Sequence, residues 1–468
     1  MEQIDIRKYG DSTAVIIDTG EQYSYCELYK LQMQLAKRIL GHSLVCIQAD
    51  NDIGSLIGYL SCMLNERVSI LLPVEINNEK LLVFIKQYTP DYLWMAVEQW
   101  KDSKKICAQD YDEEFSLLGY TLLHRRKKCM TTCHPNLALL LPTSGSTGNP
   151  KLVRLSRKNV ITNTRSICQY LKLTETDRAI LSLPISYTYG LSVVNTHLAC
   201  GGSIVLTKAK VIQRRFWDYM KKYRVTFMAG VPYTYECLKK IGVDKMDLPD
   251  LRILTQAGGK LSEKQQKYWG EYAKRTGKEF FVMYGQTEAT ARISYLPAKD
   301  CRKKLGSVGI AVPDSKIMIE DEFGNIVTEP GRTGEVICIG DQVSMGYAEC
   351  RKDLRLPDQN KGILHTGDIG YKDVDGYLYI VGRKNRFAKI YGKRIDLTYL
   401  EQLAKECFDN DVIALSDDKK IYLYTEAQVM AEQIEKLLKQ VDFRVNIFEI
   451  CGMEKLPRKK TGKIDYGG

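Results

Sequence analysis

Short apolar runs alternating with helical stretches set the tightest limit on what this 468-residue chain can fold into. Residues 44–48, 68–72, 179–183, 203–206, 225–229, 251–255 and 279–283 are leucine-rich or β-branched and carry little charge. Runs this short and this apolar suit strands covered on both faces, and strands separated by helices give parallel sheets with helices packed on them. Between the last two runs, Ser262-Glu263-Lys264-Gln265 has the capping-box pattern and Gly277 offers a stop, so the spacing predicts a helix over 262–276. In sheets of this kind ligands bind beyond the carboxyl ends of the strands.

The pattern changes near Pro297, where Gly306, Gly309, Gly324, Gly331, Gly334, Gly340 and Gly346 punctuate short strands such as 335–339. Phe323-Gly324-Asn325 is the clearest turn, and the segment reads as antiparallel and turn-rich. A second change falls near Gly382. From Asp396 the order is helix, strand 412–415, strand 421–424, helix 427–440, a further strand and a basic tail. The expected fold is α/β. Residues 1–384 form a large domain of parallel-rich sheets with helices plus a turn-rich β subdomain, and residues 385–468 a small, mobile α+β domain.

Composition narrows the class. Hydrophobic residues make up 44% and charged residues 27%, ordinary for a globular protein. No apolar run has the length to span a bilayer and Met1-Glu2-Gln3-Ile4-Asp5 lacks a basic-then-apolar signal, so the expectation is a cytoplasmic protein with no membrane span. The 14 cysteines are scattered and read as reduced thiols. Cys129, Cys133 and His134 have no second Cys/His pair at a suitable spacing and read as ordinary loop and strand residues rather than a zinc site. The net charge of +11 suits an acidic partner or a polyanionic substrate. The densest basic cluster, Arg458-Lys459-Lys460 with Lys463, lacks interleaved aromatics, and no nucleic-acid partner is expected.

The apolar run 137–141 feeds the loop Thr143-Ser144-Gly145-Ser146-Thr147-Gly148-Asn149-Pro150-Lys151. Glycines let a backbone approach closely, successive N–H groups converge on anionic oxygens, and hydroxyls and a lysine add donors and charge. The spacing differs from G-x-x-x-x-G-K-[ST], since Gly145 and Gly148 lie three apart and Leu152 follows the lysine. Alone, the loop is either a polyphosphate cradle or a polar turn.

Five further segments follow in order: Tyr284-Gly285-Gln286-Thr287-Glu288, Gly334-Glu335-Val336, His365-Thr366-Gly367-Asp368, Gly382-Arg383 leading into 389–395, and Pro457 to Asp465. With the loop they resemble the AMP-forming adenylating enzymes, the superfamily of acyl-CoA synthetases, peptide-synthetase adenylation domains and firefly luciferase. The resemblance covers residues 137–465 in matching order. It implies ATP-dependent activation of a carboxylic acid to an acyl- or aryl-adenylate, then transfer to CoA or to the pantetheine of a separate carrier protein.

The resemblance also implies roles. Thr143, Ser144, Gly145, Ser146, Thr147, Gly148 and Lys151 would grip the β- and γ-phosphates, and Tyr284 with Gly285 would face adenine opposite Gly258 and Gly259. Asp368 would accept from the ribose hydroxyls with Arg383 nearby, while Thr287 and Glu288 would serve catalysis, Glu288 holding Mg²⁺. Lys463 would bridge the attacking carboxylate and the α-phosphate. Asn385, two residues beyond Gly382-Arg383, takes the hinge position, and Gly392 would let a pantetheine arm pass.

Departures bear on the substrate. Pro184-Ile185-Ser186-Tyr187-Thr188-Tyr189-Gly190 matches a pocket segment often reading Pro-x-x-His-x-x-Gly, with Tyr187 in the histidine's place. Tyr187, Thr188, Gly190, Met228 and Gly230 are the expected pocket residues. No Asp or Glu occurs over 187–194, which disfavours an α-amino acid because its ammonium would lie unpaired; aryl and short acyl acids stay open. Leu152 stands where a glycine usually follows the loop lysine and is expected to stiffen the loop.

Overall fold

The computed structural model describes residues 5–107, 109–127, 129, 131–142, 151–384, 387–390, 393–417, 420–426, 428–440, 447–458 and 464. Contacts divide the chain into two units, residues 1–316 with 338–364, and residues 317–337 with 365–468. The junction expected at 384/385 falls within the second unit.

The first unit holds two large sheets. In the nine-stranded one, Glu279–Tyr284, Ile253–Gln256, Phe227–Gly230, Arg178–Leu181, Ser203–Leu206 and Thr13–Ile16 lie side by side in that order. All of these pairings are parallel. Antiparallel strands flank this set, Ser294–Leu296 and then Ile310–Ala311 beside Glu279–Tyr284, and Gln22–Ser24 beside Thr13–Ile16. The eight-stranded sheet has the parallel set Leu137–Pro142, Val68–Pro73, Leu44–Ala49 and Tyr92–Ala96 at its centre. Leu152–Ser156 returns antiparallel on Leu137–Pro142, and Tyr347–Ala348 pairs with its outer edge.

The largest apolar cluster joins residues of both sheets, including Val45, Ile47 and Leu139 from one and Ala179, Ala229 and Ile253 from the other. Helix Ile53–Met63 is buried over all its residues, which explains its unbroken apolar and small-residue sequence. The predicted helix is Glu263–Arg275, with Ser262 as N-cap accepting from the Gln265 N–H and Gly277 at φ +67° beyond its end.

In the second unit, Ile363–Lys372 and Leu378–Arg383 pair antiparallel beside Gly334–Gly340. Farther on, helix Leu397–Phe408 packs on a three-stranded sheet of Val412–Ser416, Ile421–Thr425 and Phe448–Gly452, with a core of its own around Leu400, Ala404, Ile421 and Leu423. The expected α/β architecture is the one observed. No helix among the described residues is long and apolar enough to cross a membrane.

Candidate active site

Two neighbouring parallel strands end where the sequence expects an adenine slot. Ile253–Gln256 and Glu279–Tyr284 run in register, and Gly258-Gly259 follows the first while Tyr284 closes the second. Gly258 has φ +85°, a left-handed turn that favours glycine, and Gln256 Nε2 donates to the Gly259 carbonyl at 2.9 Å. Gly285 is required by contact rather than by angle. A Cβ there would stand 2.0 Å from the Ala291 carbonyl oxygen, so the chain can fold back against Tyr284 only through a residue without a side chain.

The turn Thr287–Ala289 follows, and it brings Glu288 to Lys151 through a residue the motifs do not contain. Tyr347 donates its hydroxyl to Glu288 Oε1 at 2.8 Å, and Lys151 Nζ lies 4.0 Å from the centre of the Tyr347 ring. Lys151 also faces Glu349 at 3.7 Å. Burial first, and then the Glu288 carboxylate, push the Tyr347 hydroxyl well above the ordinary phenol value, so it stays a donor.

Leu152 has a physical account here. It is fully buried, pairs with both Pro142 and Ala348, and packs with Leu140, Met345 and Leu354, so it fixes the strand that leaves the loop. Two residues on, Arg154 is fully buried and donates to the carbonyls of Met345, Tyr347, Leu356 and Pro357 and to Gln359 Oε1, at 2.6–3.1 Å. That clamp fastens the segment bearing Tyr347 and Glu349 to the strand that follows Lys151.

Three of the residues expected to line the acid pocket, Tyr187, Thr188 and Gly190, lie at the start of helix Thr188–Cys200. The Thr188 and Thr287 hydroxyls are 2.9 Å apart, which ties this helix to the turn carrying Glu288. Tyr187 is half-buried, and burial pushes its hydroxyl, and that of Tyr189, up to about 12 while the charge of Arg292 works the other way. Gly190 allows close packing, since a Cβ would meet the Pro184 carbonyl at 2.2 Å, and Gly230 lies against Thr234. Met228 is buried on Phe227–Gly230, but strand alternation turns it away from the face on which Phe227 and Ala229 join the cluster containing Tyr189.

In the second unit, Asp368 and Arg383 are cross-strand partners. Arg383 Nε donates to Asp368 Oδ1 at 2.9 Å, with the carboxylate buried and the guanidinium largely exposed. The next residue is pinned twice: the Lys384 N–H donates to the Gly367 carbonyl at 2.7 Å and its ammonium to Glu335 at 2.6 Å. Thr143, Ser144, Gly145, Ser146, Thr147, Gly148, Asn385, Gly392 and Lys463 lie outside the described residues.

A sequence profile of the family described as AMP-binding enzyme matches residues 3–348. The chain belongs to this family. Among relatives of this AMP-binding enzyme is an oxalate–CoA ligase of Arabidopsis thaliana, 32% identical over 55% of this chain and 50% of its own length. A 4-coumarate–CoA ligase of Petroselinum crispum is 26% identical over 98% of this chain and 91% of its own. The alignment thus spans half of the first relative and nearly all of the second. The O-succinylbenzoate coenzyme A synthetase of Bacillus subtilis, in complex with ATP and magnesium ion, has the same fold. It matches with a TM-score of 0.79 at 22% identity, covering 98% of each chain.

Sequence reasoning about this AMP-binding enzyme passed over Tyr347, Arg154 and Arg292. Tyr347 reaches the site by pairing with Val153, far away in the chain, and no local pattern marks it. Arg292 lies four residues beyond Glu288 and was reachable as an arginine inside an otherwise uncharged stretch, residues 289–298.

Proposed function

We propose that this AMP-binding enzyme is an ATP-dependent, AMP-forming acid–CoA ligase. The observation that carries the reading is the convergence of Lys151 and Glu288 on Tyr347, where the strand leaving the loop meets the turn after Tyr284. A polyphosphate needs a cation and a hard carboxylate for its metal side by side, and Glu288 is a half-buried carboxylate whose other contact is a neutral phenol. Mg²⁺ held by Glu288 would supply charge neutralisation of the phosphates. The ATP-bound and magnesium-bound state of the Bacillus subtilis synthetase, and the CoA-ligase relatives, support ATP, Mg²⁺ and CoA as reactants.

In the proposed sequence, a carboxylate oxygen attacks the α-phosphorus of ATP and the bond to pyrophosphate breaks. The thiol of CoA then attacks the acyl carbonyl, and AMP leaves. The loop 143–151 grips the leaving pyrophosphate, Tyr284 and Gly258-Gly259 enclose the adenine, and Asp368 receives the ribose hydroxyls. Lys463 bridges the attacking oxygen and the α-phosphate, where two anions must meet. Between the half-reactions, residues 385–468 swing about Asn385, and Gly392 gives the pantetheine arm passage; the double anchoring of Lys384 supports a pivot beginning just beyond it. A cytoplasmic location suits the ATP and CoA supply.

The test is ATP–pyrophosphate exchange across a panel of carboxylic acids, followed by thioester detection with CoA or a holo-carrier protein. Acid-dependent exchange and CoA thioester formation are expected. A flat panel overturns the reading, and thioester on the carrier but not on CoA reassigns the acceptor.

A further inference from the structure

Arg157 opens the helix Arg157–Leu171, at the far end of strand Leu152–Ser156 from Lys151. At roughly 3.3 Å per residue the strand sets it ~20 Å from that lysine, away from the site described above. Its guanidinium is half-buried, and burial pulls it down from its ordinary value while the charge of Glu66 works the other way. Among the described residues it has neither a hydrogen-bond acceptor nor an ion pair. Other sheltered arginines of this protein are matched. Arg154 gives its donors to five oxygens at 2.6–3.1 Å. Arg178 gives its own to Ser203 Oγ at 2.7 Å and to the Tyr223 carbonyl at 2.6 Å. A sheltered cation without acceptors is costly, so Arg157 calls for a partner from outside the chain.

Arg157 lines a cavity of about 160 Å³ whose other walls come from the turn Ile6–Tyr9, helix Tyr25–Ala36 and the end of helix Ile53–Met63. An apolar cavity of about 150 Å³ takes up benzene, so this one has room for a single ring or a short chain. Its apolar lining is Met33, Met63, Leu64, Ile161 and the ring of Tyr29. The other polar side chains on its wall bond one another. Gln32 Oε1 accepts from Asn65 Nδ2 at 2.6 Å, and Gln32 Nε2 donates to the Tyr29 carbonyl at 3.1 Å. Both oxygens of Asp5 are held by Arg7, from Nε at 2.9 Å and from Nη2 at 3.0 Å. The charge on this lining left without a partner among the described residues is that of Arg157.

We infer that this cavity is a binding site for a small monocarboxylic acid with an apolar body, separate from the site of acid activation. The carboxylate takes parallel N–H···O bonds from Arg157, and a ring or short chain lies against the two methionines, Leu64 and Ile161. Charge limits the class. With Asp5 spent on Arg7, and Glu66 offsetting part of the field at Arg157, the lining matches a monoanion better than a phosphate dianion or a diacid. The volume suits neither a nucleotide nor a long acyl chain. The inference does not depend on the ligase reading.

The experiment is calorimetric titration of the full chain with benzoate, hexanoate, benzamide and inorganic phosphate. A saturating, non-hydrolysable acyl-sulfamoyl adenosine is present throughout to occupy the proposed adenylate site. Benzoate and hexanoate should bind one per chain, with benzamide and phosphate weaker by about tenfold or more, the scale of a hydrogen bond to a charged group. Arg157→Met should weaken benzoate to the benzamide level, Arg157→Lys should weaken it less, and Ile161→Trp, which fills the cavity, should abolish binding of both acids. No binding of either acid to wild type overturns the inference, and so does a benzoate affinity unmoved in Arg157→Met and Ile161→Trp. Phosphate bound as tightly as benzoate overturns it too, since the apolar lining would then contribute nothing. Failure of the adenosine derivative itself to bind counts against the ligase reading alone, and the variants still locate the acid. Should Arg157→Met not fold, the wild-type preference for benzoate over benzamide and the Ile161→Trp variant decide.

Discussion

At the scale of single residues, Tyr347 is a joint between the two charges proposed to handle phosphate. Its hydroxyl holds Glu288 at 2.8 Å and its ring lies under Lys151 at 4.0 Å. Tyr347→Phe separates these contacts by keeping the ring and removing the donor. Glu288 is then less well oriented for a cation, so the Mg²⁺ concentration for half-maximal exchange should rise about tenfold, the cost of one hydrogen bond to a charged group at roughly 1.5 kcal/mol. An unchanged Mg²⁺ dependence would show that the phenol only fills space. Lys463→Ala makes a different prediction: adenylate formation should fall about 10²-fold, the scale of one preorganised electrostatic donor, with ATP binding measured by calorimetry retained. Near-normal pyrophosphate exchange in that variant would remove the lysine from the chemistry.

At the scale of elements, the connection from Glu279–Tyr284 to Ser294–Leu296 carries Tyr284, Thr287, Glu288 and Arg292, and its shape depends on Gly285. Gly285→Ala puts a methyl 2.0 Å from the Ala291 oxygen and 2.8 Å from the Arg292 Cα, both backbone, so neither neighbour can yield cheaply. Stability should drop by about 1–3 kcal/mol, the cost of overpacking. ATP affinity should fall with it, and a thermal melt with a nucleotide titration checks both; a wild-type melt would mean that the connection is free to shift. The same elements show what the sequence could and could not disclose. Buried parallel strands announced themselves because apolar side chains cover both faces. Their starts were less legible: residues 225–229 read as one strand, yet the ladder begins at Phe227, because the Val225 N–H is spent on the Met220 carbonyl at the end of the preceding helix. Tyr111–Leu117 escaped because five of its seven residues, Asp112 to Ser116, mix charge and exposure on a sheet edge. The loop, Glu288 and Asp368 were legible as motifs, whereas Tyr347 meets Glu288 and Lys151 through contacts that only the folded register creates.

At the scale of the whole molecule, stability against acid should be limited by one histidine buried in the core. His197 is fully buried in helix Thr188–Cys200, its Nδ1 bonded to the Val193 carbonyl at 2.9 Å and its ring edge-on to Phe227. With Nδ1 donating, Nε2 is the unprotonated nitrogen, and among the described residues it has no partner. A proton added there would place an unsolvated cation in the core, so burial pulls the imidazole down from 6.5 to about 4, the nearby Arg252 charge adding to this and Asp177 opposing it. Above pH 6.5 the ring is neutral in both states and costs nothing. Between pH 6.5 and 4 the unfolded chain takes up a proton that the folded chain refuses, so stability is lost as pH falls through that window and this group adds no further loss below it. From pH 6.5 to 5 the loss should be about 2 kcal/mol at 1.36 kcal/mol per unit. Asp177, held below the usual carboxylate range by its bonds to Arg252, Thr174 and Thr226, acts under its ordinary value of 3.8 and so outside the window. Denaturant unfolding at pH 7, 6 and 5 on wild type and His197→Gln separates these contributions. The glutamine can keep the bond to Val193 and cannot titrate, so its stability should be nearly flat over the window; an equal fall in both proteins would assign the acid limb to other groups.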